Sequence, residues 1–151
     1  MIEPVIKSVV VPCTPQKAFD VFVQDTGTWW PLESHSISSG KGNTAANVLI
    51  EGIVGGDIYE MSSNGERHNW GKVTAFENGK SFAMTWHLNN PPSMGSLVTV
   101  TFRAHPDGGT EVILQHDNWD NLGDGAKEKR DQYNAGWVKV FETNYANACQ
   151  G

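Results

Sequence analysis

At 151 residues, with 38% apolar side chains, the chain has the length of one domain, 1–151, and can build a core without metal or disulfide staples. A formal charge of −6, from 17 acids against 11 bases with no Lys or Arg run, disfavours nucleic acid and an anionic membrane surface as partners. No apolar stretch reaches the roughly 18 residues that a membrane-spanning helix needs.

Residues 5–11 are mostly apolar, interrupted by Lys7 and Ser8, and read as a first strand. The acid in Met1-Ile2-Glu3-Pro4 and the stop at Pro12 favour that strand over a secretory leader, so the chain reads as cytoplasmic. Thr14-Pro15 starts a helix, with Thr as cap and Pro where a missing N–H costs nothing. Ala18, Phe19, Val21 and Phe22 follow at helical spacing, and Gly27 is expected to close the helix in a left-handed conformation. Trp29-Trp30-Pro31 opens a second short helix or turn.

A polar loop over 38–46 precedes a series of strands broken by turn residues. The expected spans are 48–53, 57–61, 67–76, 81–88, 97–103 and 110–118, with hairpin signals at Asn78-Gly79 and Asp107-Gly108-Gly109. Phe82, Met84, Trp86 and Leu88 share one face, as do Val98, Val100 and Phe102, and Val112, Leu114 and His116. The last segment, 124–148, reads as a helix capped by Asp124, with Tyr133, Trp137, Val140, Phe141, Asn144 and Ala148 on one stripe. Gly136 weakens that helix by about 1 kcal/mol relative to Ala. The pattern predicts an α+β domain: a curved antiparallel sheet of six to seven strands covered by the C-terminal helix.

Several stretches carry a family resemblance. They are Val11-Pro12 through Phe22 with Trp29-Trp30-Pro31, then Gly55-Gly56-Asp57-Ile58-Tyr59-Glu60 and Trp70-Gly71-Lys72-Val73. Thr85-Trp86, Gly109-Thr110-Glu111-Val112 leading to His116 and Trp119, and Tyr133 to Val138 complete the set. The chain resembles the SRPBCC superfamily, which holds START lipid-transfer domains and polyketide cyclases. Within it the chain is most similar to the branch of the heat-shock-protein-90 ATPase activator's C-terminal domain. The resemblance implies a helix-grip fold with a cavity between sheet and long helix, and it implies no universal catalytic residue.

Six Trp, six Phe and three Tyr exceed what a small core requires, and aromatics make good pocket walls. Trp86 and Met84 share an inward face, and Tyr59 with Met61 are expected to line the opposite wall. Trp30 closes one end, while Tyr133 and Trp137 project from the helix stripe. His116 is a polar ring among aliphatic neighbours, either satisfying a structural hydrogen bond or orienting a ligand. Strict alternation puts Trp70 outward unless a bulge near Gly71 reverses it, so Trp70 is not assigned to the site.

None of the five histidines forms an H-x-x-x-H or H-x-H pair, and no metal or other cofactor is assigned. Gly79-Lys80-Ser81 lacks the earlier glycine of a phosphate loop, since position 74 is Thr. No G-x-S-x-G is present, and no catalytic residue is assigned. Cys13 and Cys149 read as free thiols, since neither belongs to a C-x-x-C pair.

The leading reading is a binding protein for an apolar or aromatic, lipid-like small molecule, with a weak homodimer compatible. An alternative is a cyclase- or hydrolase-type enzyme using His116 as acid–base. A chaperone-ATPase-assisting module is a further alternative, implied by the resemblance alone.

Overall fold

The computed structural model describes residues 2–32, 34–36, 45–87 and 95–150. Apolar residues at every second position let seven segments pair edge to edge while burying one face. These are β1 (Val5–Val11), β2 (Ala45–Ile50), β3 (Asp57–Ser62), β4 (Arg67–Glu77), β5 (Ser81–Trp86), β6 (Ser96–Ala104) and β7 (Thr110–Asp117). They form one antiparallel sheet in the order β1-β7-β6-β5-β4-β3-β2, curled into a half-barrel. The α+β helix-grip architecture expected from the sequence is therefore observed.

The expected strand at 48–53 starts earlier and ends at Ile50. Most of the expected loop at 38–46, and Leu88 with most of the loop after it, lie outside the described residues. Asn78-Gly79 turns as expected, with Gly79 at φ 79° and the Lys80 N–H donating to the Glu77 carbonyl at 2.9 Å.

Helices α1 (Pro15–Val23) and α2 (Thr26–Trp29) connect β1 to β2. The Thr14 hydroxyl accepts the Lys17 N–H at 3.2 Å, and Pro15 occupies the first turn. α1 buries Phe19 and Phe22, whose rings meet Phe82 and Phe102 edge-on at 5.2–6.2 Å. Gly27 is not the left-handed stop expected of it. It lies inside α2, where a Cβ would fall 1.6 Å from Asn47 Oδ1, so its role is to let β2 approach.

α3 (Ala126–Trp137) runs on into a π-helical stretch (Val138–Tyr145) and a last α-turn (Ala146–Ala148). Asp124 does not cap it. Gly125 holds the cap position at φ 80° and no side chain completes the cap, which leaves Asp124 one residue too early. In the π stretch the Ala146 N–H donates to the Phe141 carbonyl, five residues back. Trp137, Phe141, Tyr145 and Cys149 are consequently all buried at a constant spacing of four, while Asn144 and Ala148 are only half-buried.

The Tyr145 hydroxyl donates to the Ala18 carbonyl at 2.7 Å, riveting the helix to α1, and burial pushes its pKa well above the usual phenol range. Tyr145→Phe leaves that carbonyl short of a buried donor and is expected to cost about 1–2 kcal/mol, read from urea denaturation. Both cysteines are free, and burial lifts the Cys149 thiol to about 12. Among the described residues no helix is long and apolar enough to cross a membrane.

Candidate functional site

Phenylalanines and Tyr145 interlock over one part of the space between sheet and C-terminal helix, and indoles meet at similar distances over another. There, a hollow of about 260 Å3 remains at the end of the sheet where β5 finishes. Its walls are indoles: Trp70 from β4, Trp86 from β5, Trp30 after α2 and Trp137 from α3. Trp30 meets the other three at centroid distances of 5.1–5.9 Å. Tyr133, Gly136 and Val140 complete the helix side, and Ser34, His35 and Ser36 form a polar rim. Among the described lining residues none carries Asp, Glu, Lys or Arg.

Trp70 reaches this wall because the β3–β4 register shifts beside Gly71, with Ile58 opposite Gly71 but Tyr59 opposite Asn69. The bulge makes Trp70 and Gly71 consecutive buried positions and overrides the strict alternation that pointed Trp70 outward. The Trp70 indole N–H donates to Glu60 Oε1 at 2.8 Å, and that carboxylate is fully buried. This pairing explains a second departure from expectation. β3 buries Ile58, Glu60 and Ser62, so Tyr59 and Met61 face the other side and do not line the hollow. This parity buries the charge at position 60, which is tolerated where the carboxylate has a donor. Outside, the Arg67 guanidinium stacks 3.7 Å from the Tyr59 ring centroid.

His116 lies at the end of β7 with no exposed surface, and it does not line the hollow. Its Nδ1 accepts the Trp137 indole N–H at 3.0 Å, and an indole nitrogen can only donate. Nε2 must therefore carry the proton of the neutral ring and donate to Ser96 Oγ at 2.6 Å. The Ser96 hydroxyl in turn donates to the Trp86 carbonyl at 3.1 Å. Burial holds the His116 pKa at about 3. The ring is a neutral link between helix and sheet, with both nitrogens engaged. This geometry gives no support to proton exchange with the contents of the hollow.

Of the eight side chains expected to meet a ligand, Trp30, Trp86, Tyr133 and Trp137 surround the hollow. Met84 is buried in the core, one inward position away from Trp86. Gly136 and Val140 also reach the wall. The sequence signal for Gly136 is a helix-weakening glycine, and among the described residues a Cβ there would meet only the His35 ring, at 3.9 Å.

A second hollow of about 520 Å3 opens between α1 and β2, but Gln24, Asn47 and Asn78 give it polar edges. Among the described residues no three His, Cys, Asp or Glu side chains gather as a metal site would require.

No curated protein matches the chain. Among solved structures it is similar to an anthrahydroquino-Gama-pyrone synthase, Txn09, at 29% identity and TM-score 0.67, covering 97% of each chain. It is also similar to the self-sacrificing resistance protein CalC from Micromonospora echinospora, at 23% identity and TM-score 0.70, covering 97% of this chain and 94% of that one. The Aha1 dimer from Colwellia psychrerythraea is similar at 19% identity and TM-score 0.58, covering 93% of this chain and 98% of that one. The last two likenesses concern the fold alone. A family profile described as "Activator of Hsp90 ATPase homolog 1-like protein" matches residues 12–144, nearly the whole sheet and most of the C-terminal helix, and the chain belongs to that family.

Proposed function

We propose that this protein binds a small, flat, largely apolar molecule in the indole-walled hollow between sheet and C-terminal helix. The observation that carries the reading is an apolar hollow bordered by indoles from both sheet and helix. Protein interiors are close-packed, and unfilled apolar space is costly. Here four mutually packed indoles border an apolar hollow of about 260 Å3. Indole faces suit ring systems, and the polar rim at residues 34–36 suits a mouth. The relative at 29% identity is by name a synthase of a ring compound, which supports the same ligand class. A chaperone-assisting role would use an outer surface and rests on the family description alone.

Titration with two-ring aromatic compounds is expected to quench tryptophan fluorescence in a saturable way. Gly136→Leu grows into the hollow, because among the described residues only the His35 ring lies within 4 Å of the Cβ position. This variant is expected to weaken binding by about tenfold or more. Its stability should hold or rise, since replacing a helical glycine contributes up to about 1 kcal/mol. If none of the compounds quenches the wild type, the reading is wrong.

A further inference from the structure

Six indole N–H groups are present, and five of them have named partners inside the protein. Trp29 donates to the Val21 carbonyl, Trp30 to the His35 carbonyl, Trp70 to Glu60, Trp119 to the His116 carbonyl and Trp137 to His116 Nδ1. The sixth, Trp86 Nε1, is buried and completes no hydrogen bond among the described residues. Its residue is only 4% exposed and lines the hollow. The Tyr133 hydroxyl lies beside it, near enough for the N–H to offset part of the burial that lifts the phenol to about 12. That contact falls short of hydrogen-bond geometry, so the N–H remains unsatisfied.

Leaving one buried donor unpaired is unusual and destabilising, and here it occurs in the wall of the site that the proposed function uses. We infer that Trp86 Nε1 is a ligand-binding donor, and that the preferred ligand is a planar ring compound with a neutral oxygen acceptor, of the ketone or quinone kind, set against it. This rests on the binding reading above and narrows it. A bare hydrocarbon would leave the N–H unpaired. Among the described lining residues no Lys or Arg is present to compensate an anion and no Asp or Glu to compensate a cation, which favours a neutral acceptor. The neighbouring Tyr133 O–H can rotate to give the same oxygen a second donor.

The test compares 1-tetralone with tetralin, which share a two-ring shape and differ by one carbonyl, on wild type and Trp86→Phe. Differences in the solvation of the two probes cancel between the two proteins. Trp86→Phe is expected to weaken tetralone about fivefold to tenfold while changing tetralin less than twofold. Nitrogen-15 spectra of the wild type supply a check that needs no variant. The Trp86 indole resonance should move downfield with tetralone and not with tetralin.

If both probes bind and neither the tetralone affinity nor the indole resonance singles out Trp86, the donor assignment is overturned and the binding reading stands. If neither probe nor any compound of the fluorescence series binds, both are overturned.

Discussion

Gly71→Ala is expected to destabilise the fold by about 3 kcal/mol or more, the upper end of what overpacking costs, and to lower Tm by roughly 10 °C. A Cβ at this position would lie 1.7 Å from the Thr85 carbonyl oxygen and 2.6 Å from its carbon. Both are backbone atoms of the adjoining strand, so no side-chain rotation relieves the clash. The surrounding ladder is also tied at this point. The Lys72 N–H donates to Thr85 Oγ1 at 2.9 Å and the His87 N–H to the Trp70 carbonyl at 2.8 Å. Relief would require β4 and β5 to separate where the bulge turns Trp70 inward. Calorimetry gives the stability and near-ultraviolet circular dichroism the indole environment. A Gly71→Ala protein that melts with the wild type and keeps its aromatic spectrum would refute this account of the bulge.

The second large effect is a loss of stability in acid, traced to His116. The folded chain keeps this imidazole neutral down to about 3, against an ordinary value of 6.5. Between those values the unfolded chain takes up a proton that the folded chain refuses. Stability from this group is therefore complete above 6.5 and disappears as pH falls toward 3. The slope approaches about 1.4 kcal/mol per pH unit, and the total approaches about 5 kcal/mol. Most single domains have only about 5–15 kcal/mol in all. His116→Gln keeps a donor and an acceptor but has no proton to gain. It starts less stable at pH 7, and the gap to wild type should close steadily between pH 6 and 4. Urea denaturation at several pH values measures this, and parallel curves for the two proteins would contradict it.

Much of the fold was legible because its determinants are local. Alternation in 97–103 and 110–118 marked β6 and β7 with the correct buried face, and Thr14-Pro15 marked the start of α1. Non-local departures from regular geometry were not legible. Tyr59 and Met61 share a face that suits a pocket wall, but the face that is buried carries Glu60, whose partner Trp70 is ten residues away behind a register shift. The helix stripe was misread for a similar reason. In a regular α-helix, steps of four drift by about 40° each, which would carry Tyr145 and Cys149 off the face shared with Trp137. The wider π turns cancel that drift, and no residue between 138 and 145 announces them. The unpaired Trp86 donor had no sequence signature, because being unpaired is a property of surroundings.

The bonds joining Trp137, His116, Ser96 and the Trp86 carbonyl have a mechanical consequence. They act as a spacer of fixed length between two opposing walls, and prising those walls apart would strand several polar atoms away from water. The gauge of the slot is thus set before any guest arrives. For the proposed binding role this would favour thin guests over thick ones, with no need for the helix to lift from the sheet.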